Sequence, residues 1–101
     1  MIIEHALLRV RSGQESAFEA AMAEARPLIA ASPGFLDIEV RPAVEKPGLY
    51  LLLVRWESVA DHREGFRNSD RYEQWRDLLH RFYDPMPNVE YFGDTVLLSF
   101  W

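Results

Sequence analysis

From Leu49 to Val54 every position is apolar, and Trp56 follows after a single arginine. In an extended chain successive side chains point to opposite faces, so one face would carry Leu49, Leu51 and Leu53. The other would carry Tyr50, Leu52, Val54 and Trp56. The run is short and bounded by Pro47-Gly48 and Ser58, which reads as a strand rather than a helix. A strand greasy on both faces belongs in a sheet covered on both sides. A chain of 101 residues has helical material for one cover only. A second copy, or a bound apolar molecule, must supply the other.

The flanking patterns fill in the rest. Ile2 to Arg11 reads as a first strand, with Ala6, Leu7 and Leu8 placing apolar groups on both faces. Ser12 and Glu15 stand at capping-box spacing, and Phe18, Ala21, Met22, Ala25 and Leu28 or Ile29 recur at helical spacing behind them. Pro27 is expected to kink or loosen that helix, and Ser32-Pro33-Gly34 to finish it. Phe35 to Arg41 alternates: Leu36, Ile38 and Val40 face one way, Asp37, Glu39 and Arg41 the other, as in a half-buried strand. Pro42 to Gly48 is of hairpin-loop length. Ser58 with Asp61 repeats the cap more weakly, Asn68-Ser69-Asp70 interrupts, and Tyr72, Trp75, Leu79 and Phe82 resume a helical face that Asp84-Pro85-Met86-Pro87 stops. Val89 to Phe92 and Thr95 to Phe100 predict one bulged strand or two short ones, broken at Gly93-Asp94.

The order strand, helix, strand, strand, helix, strand predicts an α+β fold. It is the ferredoxin-like βαββαβ arrangement, a four-stranded antiparallel sheet with both helices on one face, in a single domain over residues 1–101. The uncovered, leucine-rich face predicts a homodimer with two-fold symmetry.

Composition narrows the function classes. Nearly half the residues are hydrophobic (49%) and no cysteine is present, which removes disulfide scaffolds, thiolate zinc sites and thiol catalysis. Glu4 and the lack of a basic n-region argue against a secretory leader, no run approaches the ~20 residues of a membrane span, and a cytoplasmic protein is expected. The net charge of −5 argues against a nucleic-acid surface. The basic residues between Arg63 and Arg81 are interleaved with Asp61, Glu64, Asp70, Glu73 and Asp77, as on a solvated helix face. His5, His62 and His80 lack metal-ligand spacing, so no metal site is expected. His5 is expected on the helix-facing side of the first strand, and His80 shares the helical face of Arg76.

Four stretches in order, VRSGQESAF (Val10 to Phe18), SPGF (Ser32 to Phe35), VRWES (Val54 to Ser58) and FRNSDRY (Phe66 to Tyr72), resemble the antibiotic biosynthesis monooxygenase family over residues 2 to 92. The resemblance implies a dimeric α+β barrel. It also implies one of two chemistries: oxygenation of a quinol or polyketide without flavin or metal, or haem binding and degradation.

The first chemistry asks for an electron-rich phenol, an apolar pocket, and groups that favour the phenolate. By resemblance, Trp56 and Arg76 would orient the substrate oxygens, and His62, at the place of a substrate-holding tyrosine, would assist deprotonation. Leu52, Phe66 and Tyr72 would wall the pocket, with His80 beside the substrate. Leu52 stands where polyketide-oxidising members carry an asparagine. Ala6, Phe66 and Arg76 stand where haem-degrading members carry an asparagine, a tryptophan and the axial histidine, so haem would need His80 or His62. The reading is a cofactor-free monooxygenase acting on a small aromatic phenol or quinol. The alternatives are a haem-binding or haem-degrading protein, and a dimeric ligand-binding module without catalysis.

Overall fold

The sheet is built outward from the apolar run. β3 (Leu49–Trp56) pairs with β1 (Ile2–Arg9) on one side and β2 (Phe35–Pro42) on the other, and β4 (Glu90–Phe92) adds to the far edge of β1. The strand order is β2-β3-β1-β4 and every neighbouring pair is antiparallel. The two helices are α1 (Glu15–Ala30) and α2 (Asp70–Leu79); a π-helical turn (Asp61–Phe66) precedes α2 and a 3-10 turn (His80–Phe82) follows it. This is the ferredoxin-like α+β fold that the element order predicts. The structure, a computed structural model, describes residues 1–98. Among those residues no helix is long and apolar enough to cross a membrane.

Along β3 burial alternates as expected, with Tyr50, Leu52, Val54 and Trp56 buried under the helices. α1 covers them with Phe18, Ala21, Met22, Ala25 and Ile29, and α2 with Trp75 and Leu79, the positions that helical spacing selects. The opposite face presents Leu49, Leu51 and Leu53, each half-buried, beside Ile3 and Leu7, the last 42% exposed. His5 lies on that open face too, its ring edge-on to Phe92 (5.6 Å), and not on the helix side where it was expected. The β1 alternation runs through Glu4, Ala6 and Leu8 on the buried side, which puts His5 opposite.

Three further expectations change. The cap of α1 is Gln14, with no side-chain hydrogen bond, so Ser12 does not form the capping box. Gly13 adopts φ 82° and turns the chain, and helical bonding begins with Phe18 N–H to Gln14 O at 2.8 Å, two residues past Ser12. α1 continues through Pro27 to Ala30 and ends just before Ser32-Pro33-Gly34, as expected. Leu36 does not share a face with Ile38 and Val40. A register shift between Phe35 and Asp37 inserts one extra residue into β2, leaving Leu36 46% exposed and turning Phe35 onto Trp56 (5.8 Å). The last strand is only Glu90–Phe92; Thr95 to Leu98 form none, and the rest of the expected Thr95 to Phe100 strand lies outside the described residues.

Candidate active site

The chemistry gathers where the middle of the sheet meets the π-helical turn. Ser58 and Asp61 fix the start of that turn by a reciprocal cap: Asp61 N–H donates to Ser58 Oγ (3.2 Å) and Ser58 N–H to Asp61 Oδ2 (3.1 Å). The wide turn closes with Arg67 N–H donating to His62 O at 3.1 Å. Its extra residue rotates His62 and Phe66 inward together, and both are buried. Ser69 then caps α2 by accepting from Tyr72 N–H. That cap sets the phase placing Tyr72 and Trp75 edge-on against Phe66, at 5.5 and 5.7 Å.

Beneath them lies Glu4, only 4% exposed although it is a carboxylic acid on a strand. Its Oε1 accepts the indole N–H of Trp56 at 2.9 Å and lies 3.3 Å from His62 Nε2. The other ring nitrogen of His62, Nδ1, is 2.6 Å from Tyr91 Oη, so four side chains from β1, β3, the π-helical turn and β4 form one polar line through the core. Burial pushes Glu4 up from 4.5 to about 7, opposed by the Trp56 hydrogen bond and the Arg67 charge. Burial pushes His62 down from 6.5 to about 4, helped by Arg67 and Arg63. At neutral pH the imidazole is uncharged and the carboxyl group is poised between its two forms.

Glu4 and His62 open onto a cavity of about 360 Å³ between the sheet and the helices. Leu52, Phe66, Tyr72, Trp75 and Tyr83 wall it, Arg67 and His80 reach it, and Met86, Pro87 and Val89 close one end. A hollow of about 330 Å³ between α1 and β2 has two acids on its wall, Glu19, which accepts from the Tyr50 hydroxyl at 2.6 Å, and Glu39. The cavity beside Glu4 and His62 is the one that joins apolar walls to convergent polar groups. Among the described residues no group of three or more His, Cys, Asp or Glu is placed to hold a metal ion.

The sequence profile of the antibiotic biosynthesis monooxygenase family matches residues 1–78. This chain belongs to that family. It is 45% identical over 95 residues to the protein YczJ of Bacillus subtilis (strain 168), covering 94% of this chain and all of that one. A crystal structure from Bordetella bronchiseptica, named for the same family, superposes with a TM-score of 0.90 at 34% identity, covering 94% and 97% of the two chains. SnoaB of Streptomyces nogalater, a cofactor-independent oxygenase, superposes with a TM-score of 0.82 over 96% and 95% of the chains. At 16% identity that last likeness speaks for the shared fold.

In this member of the family the residues proposed from the sequence divide into three groups. Leu52, His62, Phe66, Tyr72 and His80 line one cavity. Trp56 is fully buried behind that wall, and its N–H is already donated to Glu4. Arg76 is placed elsewhere: half exposed on the outer side of α2, its Nε 3.5 Å from Asp77, because the position next to buried Trp75 points away from the core. The cation at the cavity is Arg67. His62 is also unsuited to ligate haem iron, since both its ring nitrogens face protein partners, which leaves His80 as the imidazole on the wall for that role.

Two members of the polar line, Glu4 and Tyr91, were not singled out from the sequence. Glu4 had a signal: it shares the two-residue alternation of Ala6 and Leu8, so an acid falls on the greasy face of the first strand. Tyr91 had only its place between Glu90 and Phe92.

Proposed function

We propose that this protein is a cofactor-independent monooxygenase whose substrate is a small aromatic phenol or quinol. The observation that carries the reading is a cavity walled by aromatic rings onto which one buried carboxyl group and one buried imidazole open. Family membership and the fold shared with SnoaB support it. A flat ring would stack among Phe66, Tyr72 and Trp75. Loss of its hydroxyl proton would make the ring electron-rich enough to reduce dioxygen, and exclusion of water would strengthen every charge interaction with the anion. Arg67 faces the negative charge that develops. One oxygen atom enters the substrate and the other leaves as water, while the substrate gives up two hydrogens, so no outside reductant is required. The test is oxygen uptake with a panel of dihydroquinones and anthrone-type phenols, with labelled dioxygen followed into product by mass spectrometry. No uptake and no label across the panel would refute the reading.

The same proposal includes a homodimer packed sheet against sheet. Leu7, Leu51 and Leu53 lie on the uncovered face, and Val96, Leu97 and Leu98 stand out almost fully exposed beyond β4. Covering such a surface is the usual role of an isologous two-fold interface. Sedimentation should give twice the chain mass, and Leu51→Lys should shift it toward the single-chain value. A wild-type protein that sediments as one chain at high concentration would refute the dimer.

A further inference from the structure

We infer that Glu4, rather than His62, is the general base of this cavity, that its free oxygen Oε2 takes the substrate proton, and that Trp56 and His62 position it. The inference rests on the phenol-oxidising reading and deepens it. Both ring nitrogens of His62 face protein groups, Nε2 toward Glu4 Oε1 and Nδ1 toward Tyr91 Oη, so the imidazole presents no unoccupied acceptor to a ligand. Glu4 is arranged differently. Oε1 takes the Trp56 N–H and faces His62, while among the described residues no protein donor reaches Oε2. Glu4 is also the only carboxylate on the cavity wall among those residues, so no second acid competes for the proton.

The surroundings support that assignment on every side. Trp56 on β3 donates to the ionised form, and Arg67, next to the π-helical turn, favours it. Tyr72, His80 and Tyr83 face Glu4 across the cavity; burial holds the Tyr83 hydroxyl protonated and His80 below its ordinary range. Tyr91 on β4 lies under the Arg63 guanidinium at 5.2 Å and holds the far side of His62. A base works best when its pKa is near the working pH, and burial sets Glu4 at about 7 while leaving His62 too weak at about 4.

The step balances. The substrate O–H bond breaks, its proton bonds to Oε2, and the electron pair stays on the substrate oxygen. Dioxygen adds to a ring carbon that bears a hydrogen, and the proton returns from Glu4 to the resulting peroxide, restoring the carboxylate. The C–H bond of that carbon then breaks, its electron pair forms the new C=O as the O–O bond breaks, and the released proton and hydroxide leave as water.

The experiment adds 4-nitrophenol, whose anion is coloured, to wild type, Glu4→Gln and His62→Gln, and in parallel follows oxygen uptake with a dihydroquinone. Glutamine at position 4 keeps the acceptor for Trp56, and circular dichroism confirms each fold. Wild type is expected to generate the coloured anion on binding, His62→Gln, which keeps the base but loses its positioning partner, to generate less of it, and Glu4→Gln to leave the phenol neutral. Oxygen uptake in Glu4→Gln is expected to fall by about 10²–10⁴ in kcat with KM changed far less. Colour retained in Glu4→Gln, or no colour in wild type, overturns the base assignment. Colour in wild type that Glu4→Gln abolishes, without oxygen uptake by either, overturns the oxygenase reading and leaves Glu4 as the base for a bound phenol.

Discussion

The buried acid and imidazole make a prediction about stability that needs no substrate. Glu4 is raised from 4.5 to about 7, so between those limits the folded protein keeps a proton that the unfolded chain has released. Its contribution to stability is fully present below 4.5 and is lost as pH rises through 7. His62 is lowered from 6.5 to about 4, so between those limits the unfolded chain holds a proton that the folded protein lacks. Its contribution is present above 6.5 and is lost as pH falls through 4. Between 4.5 and 6.5 the two slopes are opposite and cancel: on folding, the proton moves from imidazole to carboxyl with no net uptake.

Removing either partner uncovers the other. Each window changes the folded-to-unfolded ratio about tenfold per pH unit, roughly 3 kcal/mol across its width. Relative to wild type, Glu4→Gln should gain about that much stability as pH rises from 4.5 to 7, and His62→Gln should lose about that much as pH rises from 4 to 6.5. Urea denaturation at half-unit pH steps, read at constant m-value, measures both differences. Differences that run in the same direction, or that stay flat, would refute the account of the pair.

Three further outcomes follow from the same geometry. Gly34 has φ 83°, and a Cβ there would stand 2.2 Å from the Asp61 carboxyl group, so Gly34→Ala should cost more than about 2 kcal/mol in thermal or urea unfolding. A cost within a few tenths of a kcal/mol, about the size of an ordinary surface change, would show that the β2 entrance and the π-helical turn are not in contact. Arg76→Ala should leave oxygen uptake unchanged and stability within about 0.5 kcal/mol, whereas Arg67→Ala should move the pH dependence of uptake upward by removing a charge that favours ionised Glu4; equal effects of the two changes would place the cationic site wrongly. Trp56→Phe should shift that same pH dependence upward through loss of the indole donor, and a downward shift would contradict the hydrogen bond to Glu4.

Much of the scaffold was legible because burial leaves a periodic trace. The two faces of Leu49 to Val54, the α1 stripe from Phe18 to Ile29 and the Tyr72, Trp75, Leu79 set all follow from counting by two or by three and four. Departures from even counting were not legible. One extra residue at Phe35–Asp37 exchanged Leu36 for Phe35, and one extra residue in the π-helical turn set the inward phase of His62 and Phe66. The site was legible in its walls and less so in its polar groups. Family likeness points to Arg76, but its phase beside Trp75 turns it outward, and Arg67 enters from a turn whose direction no periodicity encodes. Glu4 was visible in the alternation of β1, yet an acid on an apolar face gains meaning only once Trp56 and His62 are seen on either side of it.

The pairing of β1 with β3 sets Ile2 opposite Trp56 and Glu4 opposite Val54. Neighbouring positions 4 and 5 are an acid and an imidazole, and only odd-or-even parity along the strand decides which of them is enclosed. A slip by one residue would send the carboxyl group out among the leucines and carry His5 in under the helices. The indole would then face a ring in place of an acceptor, and the sheet would keep its outline while losing its proton chemistry. In this protein the reading frame of one ladder decides which of the two groups meets the cavity.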